Sequence, residues 1–249
     1  MIGTVAMQQS GEAAQARQPP DPTSQADRQH AAAHDELSVI STGFASLDRV
    51  LGIGGLPKGR ISEVLGRPNS GKDVLALSFL AQAQAEGKVA YINLSGRFDP
   101  NVARRCGLDL SRFTLGQPRD LEEALTMVEA VVRTGGPAAL ALDATNTLWA
   151  NSDDTRCVAT FLRRLAAPLA RSRTAFLIVS SFTGLPGFAT FADVRLQVTH
   201  RRWIEEEGDV RGRQANVQVL KNRFAPPGGS VVLSMRFDEM TRGDSDGTN

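Results

Sequence analysis

The chain has 249 residues and a formal net charge of +1, and 41% of its residues are hydrophobic. That is enough apolar material for the core of one domain of ordinary to large size. The charge balance points to no polyanion or membrane partner, no apolar run has the length of a bilayer span, and the N-terminus carries no apolar signal segment, so a cytoplasmic protein is expected.

Residues 1–36 are rich in Gln, Ala, Pro, Ser and Asp, with almost no large apolar residues after Met7. Such a segment buries too little surface to offset its ordering entropy and is expected to be a disordered tail. Residues 239–249 are expected to form a second one, leaving 37–238 as the core domain.

Within the core, Ser41-Thr-Gly43 and Leu47-Asp48 precede the Gly-rich turn Gly52-Ile-Gly-Gly-Leu-Pro57. A buried strand is predicted over 61–65, a helix over 74–86, a strand over 89–94 and a short helix over 99–105. Leu121, Ala124, Leu125, Val128, Val131 and Val132 recur at helical spacing and predict a helix over 120–133. A strand over 138–143 ends in an acid. A helix over 154–171 turns Val158, Phe161, Leu162, Leu165 and Leu169 inward, and a buried strand covers 175–180. Val194–Thr199 and Ala215–Lys221 read as an antiparallel pair, and 230–237 as a closing strand. Strand–helix alternation followed by late hairpins predicts an α/β fold, a mainly parallel, helix-covered central sheet with antiparallel strands at the C-terminal end. Cys106 and Cys157 lie far apart without metal-type spacing and are expected to be buried or half-buried reduced thiols.

The stretch Gly66-Arg-Pro-Asn-Ser-Gly-Lys-Asp73 follows the phosphate-cradling pattern G-x-x-x-x-G-K-[ST] except at its last residue. Gly66, Asn69, Ser70, Gly71 and Lys72 fit a loop whose N–H groups, at the start of a helix, point at an anion. Asp73 stands where a hydroxyl would hold Mg²⁺. A carboxylate about 4 Å from a phosphate charge is repelled by roughly 4 kcal/mol at an effective dielectric of about 20. Two readings of Asp73 follow. Mg²⁺ can bridge the carboxylate and the phosphate, since aspartate is a good hard ligand. More simply, Asp73 favours the helix dipole, pairs with Lys72 and fills the niche of the phosphate.

The run from Ser41-Thr-Gly43 through Gly54-Gly-Leu-Pro-Lys-Gly-Arg60 and the loop resembles the bacterial RecA recombinases. So do Asp99-Pro100, the strand ending at Asp143, Ala192-Asp-Val-Arg-Leu196 and Val219-Leu-Lys-Asn-Arg-Phe-Ala-Pro226, in that order. The resemblance spans roughly residues 37–237 and implies a RecA-like P-loop core. It implies that Lys72 is the phosphate lysine, that Asp143 holds the Mg²⁺ water shell, and that Asp99 meets the adenine edge. Read on its own, Asp143 serves equally as a strand-end acid that caps a neighbouring helix.

Several chemical positions depart from the family. The glutamate that polarises the attacking water matches Ser95, the adenine-stacking tyrosine matches Val102, and the γ-phosphate-sensing glutamine matches Ser181. A serine is no comparable base. With Asp73, these changes predict a retained fold without confident catalytic residues, in which Gly66, Asn69, Ser70, Gly71, Lys72, Asp73, Asp99 and Asp143 form a vestigial nucleotide site. ATP and Mg²⁺, if held through Asp73 and Asp143, are expected to bind weakly.

The resemblance places two DNA-binding loops at Thr145–Asp154 and Phe182–Phe191. Both are short, and the second has no Lys or Arg. Single-strand binding needs a basic groove with stacking platforms; Trp149, Phe182 and Phe188 are the available aromatics, so DNA binding is expected to be weak or indirect. Arg163, Arg164, Arg171 and Arg173 on one helix, and His200, Arg201, Arg202, Arg211 and Arg213 around the hairpin, read first as solvated faces and second as a partner or duplex surface. Lys221 and Arg223 match basic residues that reach a neighbour's ATP in the family. The tail carries no amphipathic docking segment and no counterpart of the family's C-terminal domain follows, so long filaments of this chain alone are not expected.

The combination looks most like the ImuA type, small RecA-like proteins that accompany an error-prone polymerase. The expected function is a non-hydrolysing accessory role in bacterial DNA repair and damage-induced (SOS) mutagenesis, through contacts with RecA or polymerase subunits. Two alternatives stand beside it: a small DNA-dependent ATPase or recombinase using Asp73 as a direct Mg²⁺ ligand, and a nucleotide-sensing switch that binds without hydrolysis.

Overall fold

The computed structural model describes residues 37–144, 152–181 and 186–236. The expected tails at 1–36 and 239–249 lie outside the described residues, as do most of the first candidate DNA loop, with Trp149, and Phe182.

Two short strands, β1 (Val39–Ile40) and β2 (Leu56–Pro57), pair antiparallel around helix α1 (Ala45–Leu51). Asp48 of α1 accepts from Ser41 Oγ at 2.6 Å and from Thr42 N and Oγ1 at 2.9 and 2.7 Å. The Ser-Thr-Gly and Leu-Asp motifs are thus one hydrogen-bonded turn. Gly55 is required there, because a Cβ would meet Ile40 O at 2.1 Å.

The main sheet alternates with helices in chain order. Its elements are β3 (Ile61–Gly66), α2 (Lys72–Ala83), β4 (Val89–Asn93), α3 (Pro100–Arg105), β5 (Phe113–Gly116), α4 (Leu121–Arg133), β6 (Ala139–Ala144), α5 (Ser152–Ser172), β7 (Ala175–Ser180) and α6 (Pro186–Phe191). The long strands β8 (Val194–Glu206) and β9 (Asp209–Asn222) and then β10 (Ser230–Arg236) complete it. The order across the eight strands is β10-β9-β8-β3-β7-β6-β4-β5. Pairing is parallel from β8 through β5 and antiparallel for β8–β9 and β9–β10. The mainly parallel sheet with antiparallel strands at its C-terminal end is therefore present.

The inner strands are buried along their whole length, as parallel strands covered on both faces must be. Their side chains alternate between two cores. Val89, Tyr91, Ala139 and Ala141 join Leu75, Phe79 and Leu80 of α2 on one face. Ala90, Ile92, Leu140 and Leu142 join Val128 of α4 and Phe161, Leu162 and Leu165 of α5 on the other.

Four features differ from the sequence expectations. The arms of the β8–β9 hairpin run well past Thr199 and start before Ala215, closing on Glu207 and Gly208, both at positive φ. A two-residue turn of that kind matches the twist of the strands it joins. The candidate second DNA loop contains α6, whose Phe188 is fully buried, so that ring is core and not a stacking platform. Arg173 follows α5 at φ 57° instead of lying on the helix. Cys157 is exposed on α5, whereas Cys106 is buried.

Candidate functional site

The loop between β3 and α2 opens at the carboxyl ends of the central strands, where open α/β sheets place ligands. Gly66 needs to lack a Cβ, which would meet Ser70 Oγ at 2.5 Å and Val198 O at 2.6 Å. Asn69 turns the chain at φ 61° and Gly71 at φ 103°. Ser70 is buried and its hydroxyl accepts from Lys72 N at 3.4 Å. The chain therefore makes a tight turn here, with Ser70 N donating to Arg67 O at 3.1 Å.

Lys72 and Asp73 open α2. Lys72 is buried, and its ammonium lies 3.3 and 3.2 Å from the two Asp73 oxygens. The Asp73 side chain is 47% exposed and stands at the mouth. Lys72, the expected phosphate lysine, is thus paired with its neighbour Asp73.

Asp143, near the end of β6, is buried and accepts on one oxygen, Oδ2, from Ser95 Oγ and, at 3.2 Å, from Tyr91 Oη. Burial, with the neighbouring Asp143 charge, pushes the Tyr91 phenol well above its ordinary value, so it remains a donor. Asp143 works as an acceptor for two hydroxyls and does not cap a helix through either of these bonds. Asp99 does cap one. It is the N-cap of α3 and accepts from Asn101 N at 2.8 Å. Val102 on the same short helix packs partly buried against the core under α2. Ser181 follows the end of β7.

Mg²⁺-ATP fits these residues poorly. The loop backbone and Lys72 are suitable, but both carboxylates that would hold the metal already have internal partners. Among the described residues, no group of three or more His, Cys, Asp or Glu is placed to hold a metal ion.

A residue expected on a solvated face, or else on a partner or duplex surface, lies against the loop. Arg213 of β9 donates from Nη1 to Asn69 O at 2.8 Å, and its guanidinium sits 4.8 Å from the ring centre of Trp203, its cross-strand partner on β8. A Cβ at Gly71 would meet Arg213 Cδ at 3.4 Å and Met235 Sδ at 3.0 Å. The hairpin and β10 therefore pack on the loop. The sheet order β9-β8-β3 brings Arg213 to the loop, and no local pattern in the sequence signals it.

The candidate interface cations are also placed. Lys221 Nζ donates to Ala189 O and Thr190 O at 3.2 and 3.3 Å, at the C-terminal end of α6 where a cation suits the helix dipole. Arg223 pairs with Asp193 at 3.0 Å, its side chain 61% exposed. Burial, with the Arg223 charge, lowers the Lys221 ammonium from its ordinary value. Near them an ion pair with one buried partner joins β3 to β8: Glu63 accepts from Arg195 Nε at 2.5 Å and from Ser180 Oγ at 2.7 Å. Arg164 on α5 pairs with Glu129, so part of the Arg-rich helix face is spent within the fold.

Comparison with known proteins agrees with this architecture. The family model of the RecA N-terminal domain matches residues 27–241. Protein RecA of Rhizobium rhizogenes is 32% identical over 231 residues, covering 82% of this chain. Protein RecA of Chlorobium limicola is 30% identical over 231 residues, with the same share of this chain covered. The chain spans 64% of the length of the first of these relatives and 66% of the second. On the family match and the sheet that carries its loop, the chain belongs to the RecA family.

Proposed function

We infer that the chain is a RecA-like accessory protein of bacterial DNA repair, of the ImuA type, acting by protein contacts in damage-induced mutagenesis without hydrolysing ATP. The observation that carries this is the internal pairing of both site carboxylates, Asp73 with Lys72 and Asp143 with Ser95. Hydrolysis needs a water-activating base, and the serine at that position instead donates to Asp143. The scaffold around the loop is retained, which supports a selected fold over a selected reaction. Among the described residues no helix is long and apolar enough to cross a membrane.

The Lys221 and Arg223 face offers a docking surface for a RecA subunit. Arg223 keeps an exposed head, and Asp193 holds it in place. A chain that joins a RecA filament through this face without supplying a working ATP site would cap or restrain it. The test is to mix the protein with RecA, ATP and single-stranded DNA and to measure filament length and strand exchange. Shorter filaments are expected, with the effect lost in Lys221→Ala/Arg223→Ala. Unchanged filaments and strand exchange at excess protein would contradict the reading.

A further inference from the structure

The loop contains more charge than its own residues supply. Arg67 and Lys72 each carry one positive charge and Asp73 one negative, and Arg213 from β9 adds a further positive charge beside the loop. Lys72 is held by Asp73. Arg213 is held over the loop by the Asn69 carbonyl and the Trp203 ring, and its stem lies on Gly71. We propose that Arg213 takes the part a divalent cation would play and makes the loop a metal-independent site for a polyphosphate.

The chemistry follows from the side chains. A polyphosphate in a P-loop is neutralised by the lysine and by a divalent cation on the loop hydroxyl. Here a carboxylate replaces that hydroxyl, and the second cation is a guanidinium from β9. A planar guanidinium binds phosphate oxygens in pairs and never loses its charge at neutral pH. Burial pulls Arg213 below its ordinary range while the Asp73 charge pulls it back, so the two groups already sense one another across the mouth. Trp203 stacks the guanidinium without competing for its donors, as aromatic faces do. On anion binding Arg213 exchanges the Asn69 carbonyl for phosphate oxygens, and Trp203, stacked on it, reports the change. The inference rests on the non-hydrolysing reading only in taking the metal position as closed.

The experiment titrates the full chain with ATP, and separately with pyrophosphate, in Mg²⁺ and in EDTA. Calorimetry gives the affinity, and Trp203 fluorescence in a Trp149→Phe background gives a second readout. The expected affinity in EDTA is within about threefold of that in Mg²⁺. Arg213→Ala weakens it about tenfold or more, the scale of one charge-assisted contact, and Arg213→Lys falls between. Circular dichroism checks that each variant is folded; if Arg213→Ala is not, Arg213→Gln and Arg213→Lys decide. Binding that requires Mg²⁺ and ignores Arg213 overturns the proposal, as does no binding of either anion at millimolar concentration. Failure here leaves the non-hydrolysing reading intact, whereas Lys72-dependent ATP turnover removes that reading and leaves the metal dependence to be read separately.

Discussion

Lys72 Nζ lies within hydrogen-bond distance of both carboxylate oxygens of Asp73, its next neighbour in the chain. A phosphate that enters the loop must displace or overcome that carboxylate. Replacing Asp73→Thr frees the lysine and supplies the hydroxyl that suits Mg²⁺. The affinity for Mg²⁺-ATP is predicted to rise about tenfold in calorimetry, roughly the value of one hydrogen bond to a charged group. No gain in this variant would count against the account of Asp73.

Glu63 and Arg195 tie the central strand to its neighbour with one partner wholly buried. Removing the guanidinium leaves the wholly buried Glu63 carboxylate with the Ser180 hydroxyl as its hydrogen-bond partner, so Arg195→Met is predicted to cost about 3 kcal/mol or more. The double variant Glu63→Ala/Arg195→Met should recover much of that loss. Urea unfolding midpoints decide it; a single-variant cost below about 0.5 kcal/mol, the range of surface changes, would contradict it.

Phe188 resembles a base-stacking residue in sequence but is part of the core between α5 and the sheet. Phe188→Ala is predicted to destabilise by about 3–5 kcal/mol, the usual cost of emptying a large aromatic site. Thermal unfolding measures this.

The legibility of the fold followed the length and periodicity of its segments. Apolar runs such as Ala175–Ser180 and the helical spacing over 121–133 declared themselves, because burial on two faces or one stripe leaves a pattern in the residues. Strand β5, with four residues, and α6, with six, are too short to show a period. The outer hairpin arm His200-Arg-Arg-Trp-Ile-Glu-Glu206 looked like loop because both its faces are largely solvated there. At the site, the exchange of Thr for Asp73 and of Glu for Ser95 was visible against the family. The contact of Arg213 with Asn69 was not, since 144 residues separate them and only the sheet order brings them together.

The two cysteines differ in a way that chemistry can read. Burial pushes the Cys106 thiol from its ordinary value of 9.0 up to about 12, while Cys157 is exposed. A thiol reagent at about pH 8 is predicted to modify Cys157 in the native chain and both cysteines after unfolding. The raised value also sets a pH dependence. Between pH 9.0 and about 12 the unfolded chain releases the Cys106 proton and the folded chain keeps it. The stabilising contribution is present in full below that window and is lost as pH rises through it. Cys106→Ala should flatten this part of the stability profile; an unchanged alkaline slope would contradict the assignment.

The most direct measurement is steady-state ATP hydrolysis with Mg²⁺, with and without single-stranded DNA, for the native chain and for Lys72→Ala. With Ser95 bonded to Asp143 and Asp73 bonded to Lys72, the native chain is predicted to turn over ATP no faster than the Lys72→Ala variant under either condition. Turnover above background that Lys72→Ala abolishes would contradict the non-hydrolysing reading outright.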